Sequence, residues 1–281
     1  MDPISTLIVS SAVGGAAGSF IKEISSNGVK WLVELVTAQS PEMQAAAKMN
    51  MENFVMRLAQ RVENLEKDIP ADRSQIFKNA LNHPSSALLI KAAIVDSATT
   101  DNEDKHELLA ELIAQRLTAN ADDMIALAGT AACSVVNSLT SRQIKILAVL
   151  STIQSVRPLQ KANIANSAEA KNYTNSWWKK NIEPLIADSG FSQATALDYE
   201  HLAAMGCVRI SIGSNNLAKL VSSGLIEPEI NFESEFKGQH WYDTLEAQWN
   251  GLGHSTATSI GQLIGILHRD AKLKIKTQIN W

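Results

Sequence analysis

The chain is poor in the residues that would announce a chemistry. Of its 281 residues only two are cysteines, Cys133 and Cys207, both in apolar helical sequence. That excludes a disulfide framework and a four-cysteine zinc site, and points to reduced packing residues in a cytoplasm. Aromatics make up 5% of the chain, and its 14 glycines and 7 prolines form no tract or repeat, which excludes collagen-like, low-complexity and prion-like architectures. A net charge of −4 gives no whole-molecule attraction to nucleic acid.

Catalytic signatures are missing as well. There is no GxxxxGK[ST] phosphate loop, and the glycines at 251, 253, 261 and 265 have neither the lysine nor the strand–helix setting of one. His106-Glu107 starts like a zinc-protease helix, but Ala110 stands where the second histidine belongs. Gly251-Leu252-Gly253-His254-Ser255 has the wrong order for a serine-hydrolase elbow. The acidic run Asp101 to Glu107 lacks the glycine and terminal glutamate of a calcium loop. His240, Trp241, Tyr242 and Asp243 read as a surface loop anchored by aromatics. An enzyme would need them to share a pocket with His201 or His254. No catalytic residue, metal site or cofactor is expected.

With 45% hydrophobic and 19% charged residues, the chain is instead a folded protein of one large or two modest domains. Ile4 to Ile21 is free of charge. Asp2 precedes it with no basic residue, unlike a signal peptide. As a helix it rises about 27 Å, short of a hydrocarbon core of about 30 Å, so a buried or self-associating helix is the better expectation than a constitutive span. Gly14, Gly15 and Gly18 supply small-residue spacing for close helix approach.

Ser40-Pro41-Glu42 reads as N-cap, first-turn proline and an acid at the positive helix end. The helix that follows carries Ala47, Met51, Phe54, Leu58, Val62, Leu65 and Ile69 at spacings of three and four until Pro70 stops it. This stripe serves either intramolecular packing or a helix pair. His83-Pro84 breaks the next helical pair, and Thr100 to Glu103 reads as a capping box for the helix through Leu117. Asp122 to Leu139 and the segment opened by Ser141-Arg142-Gln143 add two more helices.

Beyond 150 the pattern changes. Thr195 to Asp198 is a further capping box. Val208, Ile210 and Ile212 alternate as a strand, Leu217 to Val221 reads as a helix, and Glu227 to Phe236 as a returning strand. These are the parts of a winged helix. Between Leu197 and Glu229 the only cations are Arg209 and Lys219, too few for a groove-reading helix, so the wing suits protein contacts better than DNA. The one basic run is terminal, with Arg269, Lys272, Lys274 and Lys276. The lysines are its candidate contacts for an anionic partner, nucleic acid or lipid.

The segment Ala92 to Ala114, with its Asp101-Asn102-Glu103-Asp104 helix start and Glu107-Leu108, then Leu139-Thr140-Ser141-Arg142-Gln143-Ile144 and Leu217 to Ile226, resembles bacterial helical proteins of the abortive-infection alpha type. The resemblance covers about 90–230, implies a role in bacterial defence against phage, and carries over no functional residue. The expectation is a mainly α protein. It comprises an apolar N-terminal segment (1–40), a helical domain (41–150) and a small winged-helix-like α+β domain (151–281). Its function is non-enzymatic: an interaction or effector protein that self-associates through Gly14, Gly15, Gly18 and the Met51/Phe54/Leu58 stripe, binds protein partners, and meets membrane when activated. The alternative is a winged-helix DNA-binding regulator.

Overall fold

The computed structural model describes residues 28, 30, 39–70, 73–120, 123–156, 167–187, 189–213, 216–217 and 232–277. The chain divides into two compact units, Met1–Ser138 and Leu139–Asn280. Among the described residues the fold is mainly helical with one two-stranded sheet.

The first unit is built on α1 (Pro41–Asp68), capped by the Ser40 hydroxyl, which accepts from the Met43 N–H, with Pro41 in the first turn. Its apolar stripe of Ala47, Met51, Phe54, Val55, Leu58 and Val62 is buried, and packs against α3 (Pro84–Ala98) and α4 (Glu103–Leu117). Between α1 and α3 lies α2 (Ser74–Leu81), and His83 is the N-cap that separates α2 from α3. Arg57 and Arg61 of α1 pair with Glu103, Glu107 and Glu111 of α4, an ion ladder along the flank of the helix pair. The cap of α4 is Asn102, whose Oδ1 accepts from the Lys105 N–H at 3.1 Å. Thr100, expected in that role, supports it by accepting the Asn102 N–H at 3.2 Å. Asn102 holds the cap because it immediately precedes Glu103, the first helical residue, and its Oδ1 thereby reaches the N3 amide of Lys105.

His106 ties these helices together. Its Nε2–H donates to the carbonyls of Thr100 and Ser97, at 2.9 and 3.2 Å, and closes the C-terminal end of α3. Its ring meets Phe54 edge-on at 6.2 Å. The charge-free α5 (Met124–Val136) lays Ala126, Gly129, Ala132 and Val136 inward.

The second unit turns on α6 (Ser141–Ser151), opened by the reciprocal Thr140/Gln143 box and prolonged by a π-turn over Thr152–Val156. α6, apolar on most sides, packs against α14 (Ser259–Leu273) and so falls within the unit Leu139–Asn280. Between them run α7 (Ser167–Asn181), the single turns α8 (Glu183–Ile186) and α9 (Ser189–Ser192), α10 (Ala196–Ala204), β1 (Val208–Ile210), α11 (Phe232–Phe236), α12 (His240–Ala247), α13 (Trp249–Leu252) and β2 (Ser255–Ala257). A Cβ at Gly261 would meet the Cys207 carbonyl, and one at Gly265 the Leu147 carbonyl, so α14 lies on α6 with bare backbone between them.

β1 pairs antiparallel with β2 in the register Val208↔Ala257, Arg209↔Thr256, Ile210↔Ser255. The return strand is therefore Ser255–Ala257. Of the strand expected over Glu227 to Phe236, residues 232–236 are helical and 227–231 lie outside the described residues. Helix wins there because Phe236 is drawn into the aromatic core, 5.3 Å from Trp241, and Gly238, at φ 90°, turns the chain toward α12. The other edge of β2 is completed by one side chain: Gln154 donates to the Ser255 carbonyl at 2.9 Å and accepts from the Ala257 N–H at 3.0 Å. Trp178 stacks on Trp241 at 5.2 Å and 15° to fill the core.

Two outcomes follow. Gly265→Ala destabilises the second unit by about 2 kcal/mol in urea unfolding, because overpacking against a backbone carbonyl exceeds the helix-propensity gain of about 1 kcal/mol. Burial, ahead of its hydrogen bonds, lowers the His106 pKa below its ordinary 6.5. Above 6.5 the imidazole is neutral folded and unfolded, and its contribution is fully present. As pH falls below 6.5, the unfolded chain takes up the proton first and stability is lost. The drop in unfolding free energy between pH 7 and pH 5 is thus smaller in His106→Gln than in the wild-type chain.

Candidate functional site

The densest polar constellation joins the starts of α6 and α10. The Asp198 carboxylate is 4% exposed and accepts from the Thr195 N–H (2.9 Å), the Thr195 hydroxyl (3.1 Å) and Gln143 Nε2 (3.4 Å). Arg142 Nε lies 3.0 Å from Oδ2, the oxygen that also accepts from Thr195, a charge contact rather than an aligned hydrogen bond. Gln143 Oε1 accepts the Thr140 N–H at 2.9 Å and stands 3.1 Å from His201 Nδ1, so that ring nitrogen carries the proton. The amide of Gln143 thus stands between His201 and Asp198. The network clamps two helix starts together. Tyr199 lies flat on Gly251, where a Cβ would enter its ring. Its hydroxyl is buried and has no hydrogen-bond partner among the described residues, and burial pushes its pKa up. Each capping box is visible in sequence; their meeting through Gln143 is a contact across 55 residues and has no sequence signal.

The expected site residues fall in different places. Met51, Phe54 and Leu58 are buried in the first unit's own core. Gly14, Gly15 and Gly18 lie outside the described residues. His240 to Asp243, expected as a loop, begin α12: Trp241 and Tyr242 are buried, His240 Nδ1 pairs with the Thr244 hydroxyl at 3.0 Å, and Asp243 accepts the Gly238 N–H at 3.0 Å. Trp241 takes them into a helix because its stack on Trp178 and its bond to Asn175 Oδ1 (2.9 Å) require burial. His254 Nδ1 faces the Ser211 carbonyl at 3.2 Å. Cys133 and Cys207 are buried, and burial pushes their thiols up to about 12 and about 11, so neither supplies a thiolate.

The basic end of the chain separates into two parts. Arg269 is buried, bonded to Asp270 Oδ1 (3.0 Å), Thr277 Oγ1 (2.8 Å) and Asn181 Oδ1 (2.7 Å). Lys272, Lys274 and Lys276 are exposed, with Lys274 in the left-handed region as the C-cap of α14. Among the described residues no group of three His, Cys, Asp or Glu side chains can hold a metal ion, and no helix is long and apolar enough to cross a membrane.

The outward face of α1 is unusual for a surface helix. Ala45, Met49, Asn53, Met56, Gln60 and Asn64 recur at spacings of three and four, are all exposed and carry no charge, although α1 bears charged residues elsewhere around its cylinder. Met49 is 58% and Met56 50% exposed, one heptad apart.

A protein-family model described only as ":-like", words that carry no activity, substrate or partner, matches residues 18–237, well over half of the chain. No curated protein matches, and no solved structure matches.

Removing Asp198 strands Gln143 and the Thr195 amide, so Asp198→Ala lowers the unfolding free energy of the second unit by about 2–4 kcal/mol. Arg142→Ala costs under about 1 kcal/mol, since its side chain remains one-third exposed. Urea titrations of the two variants measure the contrast.

Proposed function

We propose that this chain, which belongs to the family matched over residues 18–237, is a non-enzymatic interaction protein that assembles with copies of itself through the outer face of α1. The supporting observation is the uncharged exposed strip from Ala45 to Asn64, about 29 Å long at helical rise. Its paired methionines adapt to an opposing helix, and its Asn and Gln residues set register. The inner stripe of Met51, Phe54 and Leu58 is spent on the chain's own core, so the interface moves to the opposite side of the same helix. A self-complementary strip of this kind suits a twofold helix pair. The small-residue spacing of Gly14, Gly15 and Gly18 suits close helix approach and adds a second contact to this assembly. A setting in bacterial anti-phage defence, with membrane contact through residues 4–21 on activation, is supported by the sequence resemblance and by the apolar character of that segment.

For the second unit we infer a winged-helix-like arrangement used for protein contacts. The antiparallel β1–β2 pair following α6 and α10 supports it, and the low cation count around β1 favours protein over DNA.

Light scattering on the full-length chain tests the reading. A discrete oligomer is expected, reduced to monomer by Met49→Glu with Met56→Glu. A monomeric wild type, or an oligomer unchanged by the double substitution, overturns it. Duplex-DNA binding that falls steeply between 50 and 200 mM salt and is lost when Lys272, Lys274 and Lys276 become Glu assigns the chain to the DNA-binding class instead.

A further inference from the structure

A second feature of the first unit is independent of the α1 face. Arg116 of α4 is a buried cation, 4% exposed. Its guanidinium donates to two neutral oxygens at long range, the Ala119 carbonyl (3.5 Å) and the Ser85 hydroxyl (3.3 Å), and among the described residues no carboxylate pairs with it. A guanidinium removed from water calls for an anionic partner or a dense set of acceptors. Ser85, by contrast, is exposed. It is the second residue of the fifteen-residue helix α3, after Pro84, where the helix dipole favours negative charge. Its Oγ lies 2.7 Å from His83 Nδ1, which also accepts the Ser85 N–H at 3.2 Å. One exposed hydroxyl thus stands between solvent and a buried guanidinium that meets no counter-charge among the described residues.

We propose that Ser85 is a phosphorylation site and that Arg116 is the residue that reads it. The donor is a nucleoside triphosphate used by a protein kinase. The Ser85 oxygen attacks the γ-phosphorus, the Oγ–P bond forms as the β–γ bridging P–O bond breaks, the nucleoside diphosphate leaves, and the hydroxyl proton passes to solvent. The phosphoryl oxygens then lie at the reach of Arg116, whose planar fork matches two of them. His83 Nδ1 loses the hydroxyl contact and keeps the Ser85 N–H. The modification adds a charge-assisted tie between α3 and α4 in place of a long neutral contact.

The test uses full-length protein with phosphoserine installed at position 85 by genetic-code expansion, compared with unmodified protein. The melting temperature of the first unit rises by at least about 3 °C, and the rise is absent in Arg116→Gln and partial in Arg116→Lys. Should Arg116→Gln not fold, phosphorus NMR on the phosphorylated wild-type chain decides alone: the second phosphate ionisation titrates below its usual value of about 6. An unchanged or raised phosphate pKa, or a melting temperature that falls on phosphorylation, overturns the proposal. Arg116-dependent stabilisation of unmodified protein by inorganic phosphate, with none from phosphoserine, also overturns it and makes the site a pocket for free anions.

Discussion

The second unit depends on the absence of two side chains. Because Gly261 and Gly265 put nothing between α14 and α6, the backbone of α14 rests against the Cys207 and Leu147 carbonyls. That approach fixes Thr258 as the cap of α14, with its N–H on the Cys207 carbonyl at 3.0 Å. Residues 255–257 are thereby set beside β1 in one register, and Gln154 of the π-turn is in position to pair with both Ser255 and Ala257. Any larger residue at 265 would lift α14 and carry β2 away from its partners.

The first unit obeys a different constraint, the division of one helix between two faces. α1 gives Phe54 and its neighbours to the core and leaves an uncharged strip outside. Arg57 and Arg61 on one flank meet the carboxylates of α4, and Glu42, Glu52, Glu63 and Lys67 border the strip. A solvated surface ordinarily mixes charge into every turn. It is on this strip, uncharged from Ala45 to Asn64, that the proposed self-assembly rests.

The histidines show how the polar groups are used. His83 caps α3, His106 closes its far end, and His201 donates to the Gln143 that opens α6. Each position has a ring nitrogen answering an unpaired backbone or amide group at a helix terminus. Histidines that sequence inspection singles out are thereby absorbed by the architecture, whereas Arg116, which no sequence pattern marks, carries a charge that the described structure leaves unmatched.

Local patterns were sufficient to determine the helices with strong ends. Ser40-Pro41, His83-Pro84, Thr140 to Gln143 and Thr195 to Asp198 each encode a cap within four residues, and the 47–62 stripe encodes which side of α1 is buried. These signals are legible because donor, acceptor and periodicity sit on one short stretch of chain. Tertiary structure alone decided the rest. Ser255–Ala257 becomes a strand with three residues and no alternation because β1 and Gln154 offer it partners on both edges. The 232–236 segment becomes helical, and 240–243 joins a helix rather than a loop, because one aromatic core claims Phe236 and Trp241. Helix α6 belongs to the second unit because its partner arrives more than a hundred residues later. The physical reason is common to all three: burial energy is set by what a residue meets, and these meetings join stretches whose own sequence contains no trace of the other.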